Sequence, residues 1–246
     1  MKNETTIYGI RAILEAINSK EEIDKVFLQK GAKGDLMQEL EHLLRKNDIT
    51  TVYVPVEKLN RLTKNNHQGA VANISPISFI SLEALVDSTA TKTTPALFLL
   101  LDQLSDVRNF GAIIRTAECT GVDGIIIQKK GAAPVTADTI KTSAGAAFKV
   151  PIAKVEHLKD AVFYLQASGI KIVSATEKTN KSVYDITFTK PIAIVMGSED
   201  RGITPSIIKA SDYSAKIPLQ GEIASLNVSV ACAVFLYEAV RQRLEN

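Results

Sequence analysis

The stretch PIAIVMGSEDRGIT, residues 191–204, joins an uninterrupted apolar run to a short polar turn. Apolar runs of this kind are typical of strands buried on both faces in a parallel sheet. Gly197 and Gly202 flank the turn, where glycine permits close approaches that a side chain would forbid, and Glu199 between them is compatible with either a structural or a functional carboxylate. The stretch predicts a buried strand that ends in a ligand-cradling turn. Ile203 stands where a phosphate-binding P-loop requires lysine, which excludes a nucleotide triphosphatase of that kind.

Further apolar runs lie on both sides of this stretch. They are separated by segments with helical periodicity, and this alternation predicts a doubly wound α/β domain of five or six strands. Open parallel sheets bind ligands beyond the carboxyl ends of their strands, so the residues after each run are candidate site residues. The runs are ALFLLL (96–101), GIIIQ (124–128), FKVPIA (148–153), GIKIVSA (169–175) and a weaker one at Ala215 to Ile217, and the predicted helices cover 109–120, 136–142, 156–167, 205–210 and 226–241.

A second polar stretch, LDQLSDVRNFGAIIRTAECTG (101–121), follows the first of these strands. Asn109 is predicted to N-cap the next helix. Arg115 lies six residues further on, nearly two turns, and is expected on roughly the same side of that helix. Taken alone, the segment is explained more simply by an ordinary cap and a solvated arginine, and Arg108 is interpreted as surface charge.

A third stretch, KIPLQGEIASLNVSVACAVFLYEAVRQ (216–242), leads from a loop with proline and glycine into a strongly apolar helix. Ser225, Leu226 and Asn227 lie where the loop enters the helix, and Ser225 is compatible with a plain N-cap role. The apolar stripe of the helix is predicted to be core or interface. Its members are Val228, Ala231, Cys232, Phe235 and Leu236.

The first 88 residues predict a separate small α/β domain. Short β-like runs at 26–29, 51–54 and 70–74 alternate with helical segments, the clearest of which runs from Asp35, as N-cap, to Asn47. The polar stretch STATKTTP (88–95) is typical of a linker. The predicted organisation is a domain at 1–88, a linker at 89–95 and a larger domain at 96–246.

Composition indicates a globular protein, since 46% of the 246 residues are hydrophobic and 23% are charged. A net charge of +2 gives little support for a nucleic-acid partner, so any basic surface must be local, as at Lys58, Arg61 and Lys64. No signal peptide or membrane-spanning run is found, and only two cysteines are present, which predicts a cytoplasmic protein. The three histidines show no metal-ligand spacing, and no metal is expected.

The three polar stretches together resemble the motifs of the SpoU (TrmH-like) RNA 2′-O-methyltransferases of the SPOUT superfamily. The motifs are N-x-G-A-I-x-R-T-A, then V-M-G-S-E-x-x-G-I, then I-P-x-x-G-x-x-x-S-L-N-V-S-V-A. IYGIRAILEAI (7–17) and HQGAVA (67–72) are similar to the ribosomal-protein-L30-like substrate-binding domain that some members carry. Asp106 is followed by Val107 where the family often has proline, which is expected to loosen that loop.

This resemblance implies an α/β catalytic domain with a C-terminal trefoil knot, S-adenosylmethionine as cofactor and a homodimer. It implies that Thr176, Gly197, Ile217 and Leu226 hold the cofactor. It also implies a polar catalytic cluster, which comprises Asn109, Arg115, Glu199, Ser225 and Asn227.

The expected activity is methyl transfer to a ribose 2′-hydroxyl of RNA, and the resemblance favours a guanosine in 23S rRNA. Arg115 is the family's proposed base, but a guanidinium stays protonated beyond pH ~12, so we expect it to position RNA and stabilise developing negative charge. The basic residues Lys58, Arg61 and Lys64 are candidate RNA contacts, and His67 either contacts RNA or packs its own loop. The alternatives are an enzyme for tRNA or another rRNA site, and a non-catalytic RNA-binding or ribosome-assembly factor.

Overall fold

A computed structural model of the chain describes residues 6–245. These residues form two compact units, the first ending at Ser78 and the second beginning at Phe79. The division therefore lies earlier in the chain than the predicted boundary at residue 88.

The predicted linker at 89–95 belongs to the second unit. The helix α4 (Leu82–Asp87) precedes it and buries Leu85 completely in the core of that unit. Within the segment itself, Lys92 forms an ion pair with Asp123. The polar composition of the segment indicated a linker, but its residues form hydrogen-bonded turns that continue the end of α4.

The first unit is a four-stranded mixed sheet with helices on both faces. Its strand order is β1-β4-β2-β3, in which only β2 and β3 are parallel. Alternate residues of β2 and β4 face opposite layers, so Leu28 and Ala72 contact the α1 and α2 side while Phe27 and Val71 contact α3. The elements are β1 (Thr6–Tyr8), α1 (Ile10–Asn18), β2 (Ile23–Gln29), α2 (Asp35–Lys46), β3 (Thr51–Val54), α3 (Val56–Leu62) and β4 (Ala70–Ile74).

The predicted cap of α2 is wrong by one position. Gly34 is the N-cap, with a φ of 131° that suits glycine, and Asp35 is the first helical residue. A carboxylate in the first turn still interacts favourably with the helix dipole. The predicted strands and the body of this helix are confirmed.

The second unit is built on six parallel strands in the order β10-β8-β9-β5-β6-β7. The predicted doubly wound α/β domain is therefore confirmed, with the larger of the two expected strand numbers. The strands are β5 (Leu97–Leu101), β6 (Gly124–Gln128), β7 (Ile152–Val155), β8 (Lys171–Ala175), β9 (Ile192–Met196) and β10 (Tyr213–Ala215).

Helices cover both faces of this sheet. α4, α7 and α8 share one apolar core with alternate strand residues. α5, α6 and α9 form the other layer, in which α5 packs against both α6 and α9. The remaining helices are α5 (Val107–Cys119), α6 (Ala137–Thr142), α7 (Leu158–Ala167), α8 (Pro205–Ala210) and α9 (Val228–Leu244). The knotted threading that the family resemblance implies stays a prediction.

The C-terminal end of α9 is fixed by side-chain hydrogen bonds to backbone groups. The Gln242 carboxamide accepts from the Phe188 N–H and donates to the Ile186 carbonyl, both at 2.8 Å. The Arg243 guanidinium donates to the carbonyls of Phe188 at 2.9 Å and Pro95 at 2.8 Å. These bonds join α9 to the chain segments that enter β5 and β9. Within residues 6–245, no helix is long and apolar enough to span a membrane.

The helix α5 begins two residues earlier than predicted. Asp106 is its N-cap, because the Asp106 carboxylate accepts a 2.7 Å hydrogen bond from the Asn109 N–H. The prediction that Asn109 caps the helix is therefore wrong, and its side chain is available for other contacts. Val107 occupies the first helical position, where the N–H has no intrahelical partner.

Replacing Val107 by proline is expected to stabilise the second unit. Proline is favoured at the first helical position, and Asp106 already has the extended backbone (φ −80°, ψ 120°) that a residue before proline prefers. The gain from a stiffer unfolded chain is ~0.4–1 kcal/mol, which corresponds to a Tm increase of about 1–4 °C for a domain of this size. A thermal melt of Val107→Pro beside the parent chain measures this, and a lower Tm would show that the Val107 N–H has a partner.

Candidate functional site

Three of the predicted cofactor-binding residues lie at one edge of the second sheet. Thr176, Gly197 and Ile217 follow β8, β9 and β10, which are neighbours in the sheet, so their backbones leave it side by side. The Thr176 N–H donates to the Ala215 carbonyl at 2.9 Å, which ties two of these strand ends together. This edge carries the backbone groups with which an open parallel sheet binds a ligand.

The turn after β9 has no room for a side chain at its first residue. A Cβ on Gly197 would lie 2.2 Å from the carbonyl carbon of Gly202 and 2.3 Å from the nitrogen of Ile203. Gly202 itself has a φ of +67°, and its N–H donates to the Ser198 carbonyl at 2.9 Å. The turn is thus a closed backbone loop that depends on both glycines.

Buried polar groups hold the far end of this turn. The Asp102 side chain, 1% exposed, accepts from the Thr204 N–H at 2.6 Å. The Gln103 carboxamide donates to the Thr204 hydroxyl at 3.2 Å. Sequence reasoning missed both residues, although their position at the carboxyl end of a buried strand was a signal for them.

Asn109, Glu199 and Asn227 form one hydrogen-bonded cluster, which we call the Asn-Glu-Asn cluster. The Asn109 and Asn227 carboxamides donate to the same Glu199 carboxylate oxygen, at 2.9 Å and 2.7 Å. The Asn227 carboxamide nitrogen also lies 3.1 Å from the Asn109 carboxamide oxygen. Residues 118 positions apart along the chain are therefore brought into contact.

Each member of this cluster is fixed by the backbone that carries it. Asn109 lies in the first turn of α5, Glu199 in the closed turn, and Asn227 is the N-cap of α9. The Asn227 oxygen accepts from the Ser229 N–H at 2.9 Å and from the Ser229 hydroxyl at 2.6 Å. Asn227 therefore caps its own helix with its oxygen and binds the cluster with its nitrogen. Ser225 does not have the cap role that the sequence left open.

Arg115 and Ser225 do not join the cluster. Both side chains are exposed, and neither forms a hydrogen bond or ion pair within residues 6–245. Six residues of α-helix turn through about 600°, which leaves Arg115 about 120° around α5 from Asn109. The expectation that the two share a side of the helix is therefore wrong.

The loop between β10 and α9, which leads into Asn227, exposes apolar side chains. Ile217 is half-buried, whereas Leu226 is 39% exposed and Ile223 is 80% exposed. Apolar side chains together with free backbone groups are the usual lining of a site for a small organic cofactor. The residues present therefore fit an organic ligand that has both apolar and polar parts, as S-adenosylmethionine does.

In the first unit, Lys58 and Arg61 lie on α3 and Lys64 follows it, all three exposed. His67 is held by its own loop and by α3. Its Nδ1 accepts from the Gly69 N–H at 3.0 Å, and its Nε2 lies 3.0 Å from the Asn60 carboxamide oxygen. Of the two predicted roles for His67, loop packing is the one that these contacts support.

In the part of the chain that the structure describes, no three His, Cys, Asp or Glu side chains are grouped to hold a metal ion. Cys119, at the end of α5, is exposed. Cys232 is buried in α9, and burial raises the pKa of its thiol to about 12. Cys232 is therefore protonated at neutral pH and acts as a small apolar residue.

Two family models match the chain in separate regions. Residues 96–237 match the SpoU rRNA Methylase family, and residues 6–79 match the RNA 2′-O ribose methyltransferase substrate binding family. The chain belongs to the SpoU rRNA methylase family. The SpoU match includes the whole Asn-Glu-Asn cluster, and the substrate-binding match ends at the observed division between the two units.

Similar proteins cover almost the full length of the chain. A putative TrmH family tRNA/rRNA methyltransferase, YacO of Bacillus subtilis, is 31% identical over 96% of this chain and 95% of its own. The 23S rRNA (guanosine-2′-O-)-methyltransferase RlmB of Coxiella burnetii is 34% identical over 99% of this chain and 98% of its own. The SpoU methyltransferase AviRb of Streptomyces viridochromogenes, crystallised in complex with the cofactor AdoMet, is 26% identical, with a TM-score of 0.62 over 98% of this chain and 91% of its own.

Proposed function

We propose that this chain transfers a methyl group from S-adenosylmethionine to the ribose 2′-hydroxyl of a guanosine in 23S rRNA. The Asn-Glu-Asn cluster is the observation that carries the proposal, because it joins all three SpoU motifs through hydrogen bonds, and open parallel sheets bind ligands beyond the carboxyl ends of their strands. The RlmB relative, a guanosine-2′-O-methyltransferase of 23S rRNA, supports the choice of nucleotide and RNA.

The cofactor would bind where β8, β9 and β10 end. We assign its binding to Thr176, Gly197, Ile217 and Leu226, of which the first three offer neighbouring backbone groups and the last an exposed apolar side chain. S-adenosylmethionine supplies an electrophilic methyl group when bound. The closed turn after Gly197 would offer the cofactor a tightly packed backbone surface.

The polar residues would orient and activate the ribose hydroxyl. This hydroxyl is a poor nucleophile until its proton is removed or the developing alkoxide is stabilised. Glu199 holds both asparagine amides through one carboxylate oxygen, which leaves its second oxygen to accept from the substrate. We assign Arg115 to positioning the RNA and stabilising negative charge, since a guanidinium is a poor base. Ser225, exposed at the entry to α9, is proposed to complete the site.

The first unit would supply recognition of the RNA. Its family match is to a substrate-binding domain, and Lys58, Arg61 and Lys64 are exposed cations that suit phosphate contacts. We place the enzyme in the cytoplasm, where bacterial ribosomal RNA is made and modified.

We further propose that the enzyme is a homodimer that uses α9. Val230, Tyr237 and Leu244 recur every seven residues on this helix and are 50%, 54% and 82% exposed. A seven-residue spacing places them on one face of the helix. An exposed apolar row of this length is typical of a surface that binds another protein molecule.

Replacing Tyr237 by glutamate is therefore expected to separate the protomers. An unpaired charge buried in an apolar interface costs ~3–5 kcal/mol, and ~3 kcal/mol already weakens the dimer on the order of 100-fold. Sedimentation equilibrium measures the dissociation constant. Phe163→Glu is the matched control, because Phe163 is an equally exposed aromatic (50%) on α7 in the opposite layer. A Tyr237→Glu variant with the parental dissociation constant would remove α9 from the interface.

The proposed substrate is tested by mapping ribose methylation in ribosomal and transfer RNA. The map from cells with this gene is compared with the map from cells without it. We expect one guanosine of 23S rRNA to lose its 2′-O-methyl group, and the purified enzyme to restore it in vitro with S-adenosylmethionine. A mark lost only from tRNA would overturn the choice of RNA. The loss of no mark, together with a protein that binds RNA but not the cofactor, would favour a non-catalytic factor.

A further inference from the structure

Arg108 and Arg115 lie on one exposed face of α5. They are seven residues apart, which turns the helix through about 700° and leaves them about 20° apart around its axis. Their Cα atoms are separated by about 10 Å along the helix. Both side chains are exposed, and the residue between them on this face is the small, partly exposed Ala112. The face is therefore open, with one cation at each end.

Neither arginine has a partner within residues 6–245. Two other basic residues near this layer are paired, Lys149 with Glu118 at 3.0 Å and Arg241 with Glu238 at 2.8 Å. The guanidiniums of Arg108 and Arg115 thus present all their donors to solvent on one face of α5. We call this face, defined by Arg108 and Arg115, the stripe. A planar guanidinium is suited to bidentate binding of phosphate oxygens.

Arg108 is also placed where folding does not favour it. It is the second residue of α5, the first turn contains no acidic residue, and the carboxylate of the N-cap Asp106 accepts from the Asn109 N–H and forms no ion pair with Arg108. A cation in the first turn opposes the helix dipole, whose positive end is there. A residue that costs local stability and has no compensating contact in the protein is expected to act on a ligand.

The stripe begins beside the Asn-Glu-Asn cluster. Arg108 directly precedes Asn109, whose carboxamide donates to Glu199 at 2.9 Å. Arg108 is therefore close enough to this cluster for its long side chain to reach a phosphate next to a ribose bound there.

We propose that Arg108 and Arg115 bind phosphates of the RNA strand on either side of the methylated nucleotide, so that the strand follows the exposed face of α5. Arg108 is then a substrate-binding residue of the second unit, in addition to any contacts of the first unit. This inference rests on the proposed methyltransferase function. It identifies Arg108, which the sequence alone suggested was only surface charge, as part of the RNA site.

The test compares Arg108→Ala, Arg108→Lys and Lys209→Ala with the parental protein. Lys209 is an exposed cation on α8, in the opposite helix layer, and serves as the matched control. RNA binding is measured against salt concentration, turnover against RNA concentration, and Tm by thermal melting. Losing one phosphate contact reduces the slope of log K against log salt by ~0.7–0.9.

For Arg108→Ala we expect this smaller slope, a KM for RNA raised on the order of tenfold, and a Tm equal to or above the parental value. Arg108→Lys should keep the slope, because lysine still binds phosphate as a point charge. Lys209→Ala should match the parent in all three measurements. An unchanged slope and KM in Arg108→Ala, or the same change in Lys209→Ala, would overturn the proposal.

The binding measurement separates this inference from the proposed function. If the parental protein binds RNA but methylates none, the proposed function fails while a smaller slope in Arg108→Ala still supports the stripe. If the parental protein methylates RNA and Arg108→Ala binds it with the parental slope, only the stripe fails.

Discussion

Asn227→Asp is expected to lower the methylation rate at saturating RNA and cofactor about 100-fold, the penalty typical of misplacing a reacting group by ~1 Å. The asparagine nitrogen donates to Glu199 at 2.7 Å and lies 3.1 Å from the Asn109 oxygen. Aspartate has no donor there and places a second negative charge against the Glu199 carboxylate, so the cluster separates. Its oxygen still accepts from the Ser229 N–H, which preserves the N-cap of α9. Single-turnover kinetics measure the rate, and an unchanged Tm shows that the fold is kept.

A second substitution makes this prediction more specific. In Asn227→Asp/Glu199→Gln the donor and acceptor are exchanged, since the new amide at 199 can donate to the new carboxylate at 227. If the cluster acts through this hydrogen bond, the double variant should be at least roughly tenfold faster than Asn227→Asp alone, a favourable coupling of the kind found between residues in contact. If the rate loss of the double variant is instead the product of the losses of the two single variants, the negative charge of Glu199 itself is required. A single Asn227→Asp variant with the parental rate would contradict the role of the cluster altogether.

Gly197→Ala is expected to abolish cofactor binding and to destabilise the second unit. The added Cβ would lie 2.2–2.5 Å from backbone atoms of Gly202 and Ile203, which cannot rotate away as a side chain can. Overpacking of this kind costs ~1–3 kcal/mol or more. The turn that carries Glu199 must open to relieve it. Calorimetric titration with S-adenosylmethionine and a thermal melt measure the two effects.

Gly221→Ala is the matched control for this substitution. Gly221 lies in the loop before α9, has no positive φ, and a Cβ there meets no atom within 4 Å. We expect its cofactor affinity and Tm to stay close to the parental values. Full cofactor affinity in Gly197→Ala would mean that the closed turn is not part of the cofactor site.

The sheet of the second unit was predictable because its strands are buried on both faces. Uninterrupted runs such as IAIVM (192–196) appear in a sequence only where no alternation with solvent is needed. The grouping of Asn109, Glu199 and Asn227 was predictable only as a consequence of the family motifs. No local pattern specifies which asparagine amide meets which carboxylate oxygen.

The incorrect predictions have local physical causes. Both Asp106 and Asn109 are good N-cap residues, and the choice between them depends on where the helix can begin to pack, which involves α6 and α9. The domain boundary was misplaced because composition shows that 88–95 is polar but not that Leu85 fills the space over Gly124, where a Cβ would lie 2.3 Å from the leucine. Packing partners distant in sequence decided both cases.

The end of the chain also affects the choice of expression strategy. Arg243 and Gln242 hold backbone groups of the segments that enter β5 and β9, while Asn227 at the other end of the same helix belongs to the Asn-Glu-Asn cluster. Expression designs that shorten the chain should therefore keep Gln242 and Arg243. A stop codon that removes Arg243 would break these hydrogen bonds at the end of α9. We expect the loosened helix to displace Asn227, its N-cap sixteen residues earlier, from the Asn-Glu-Asn cluster.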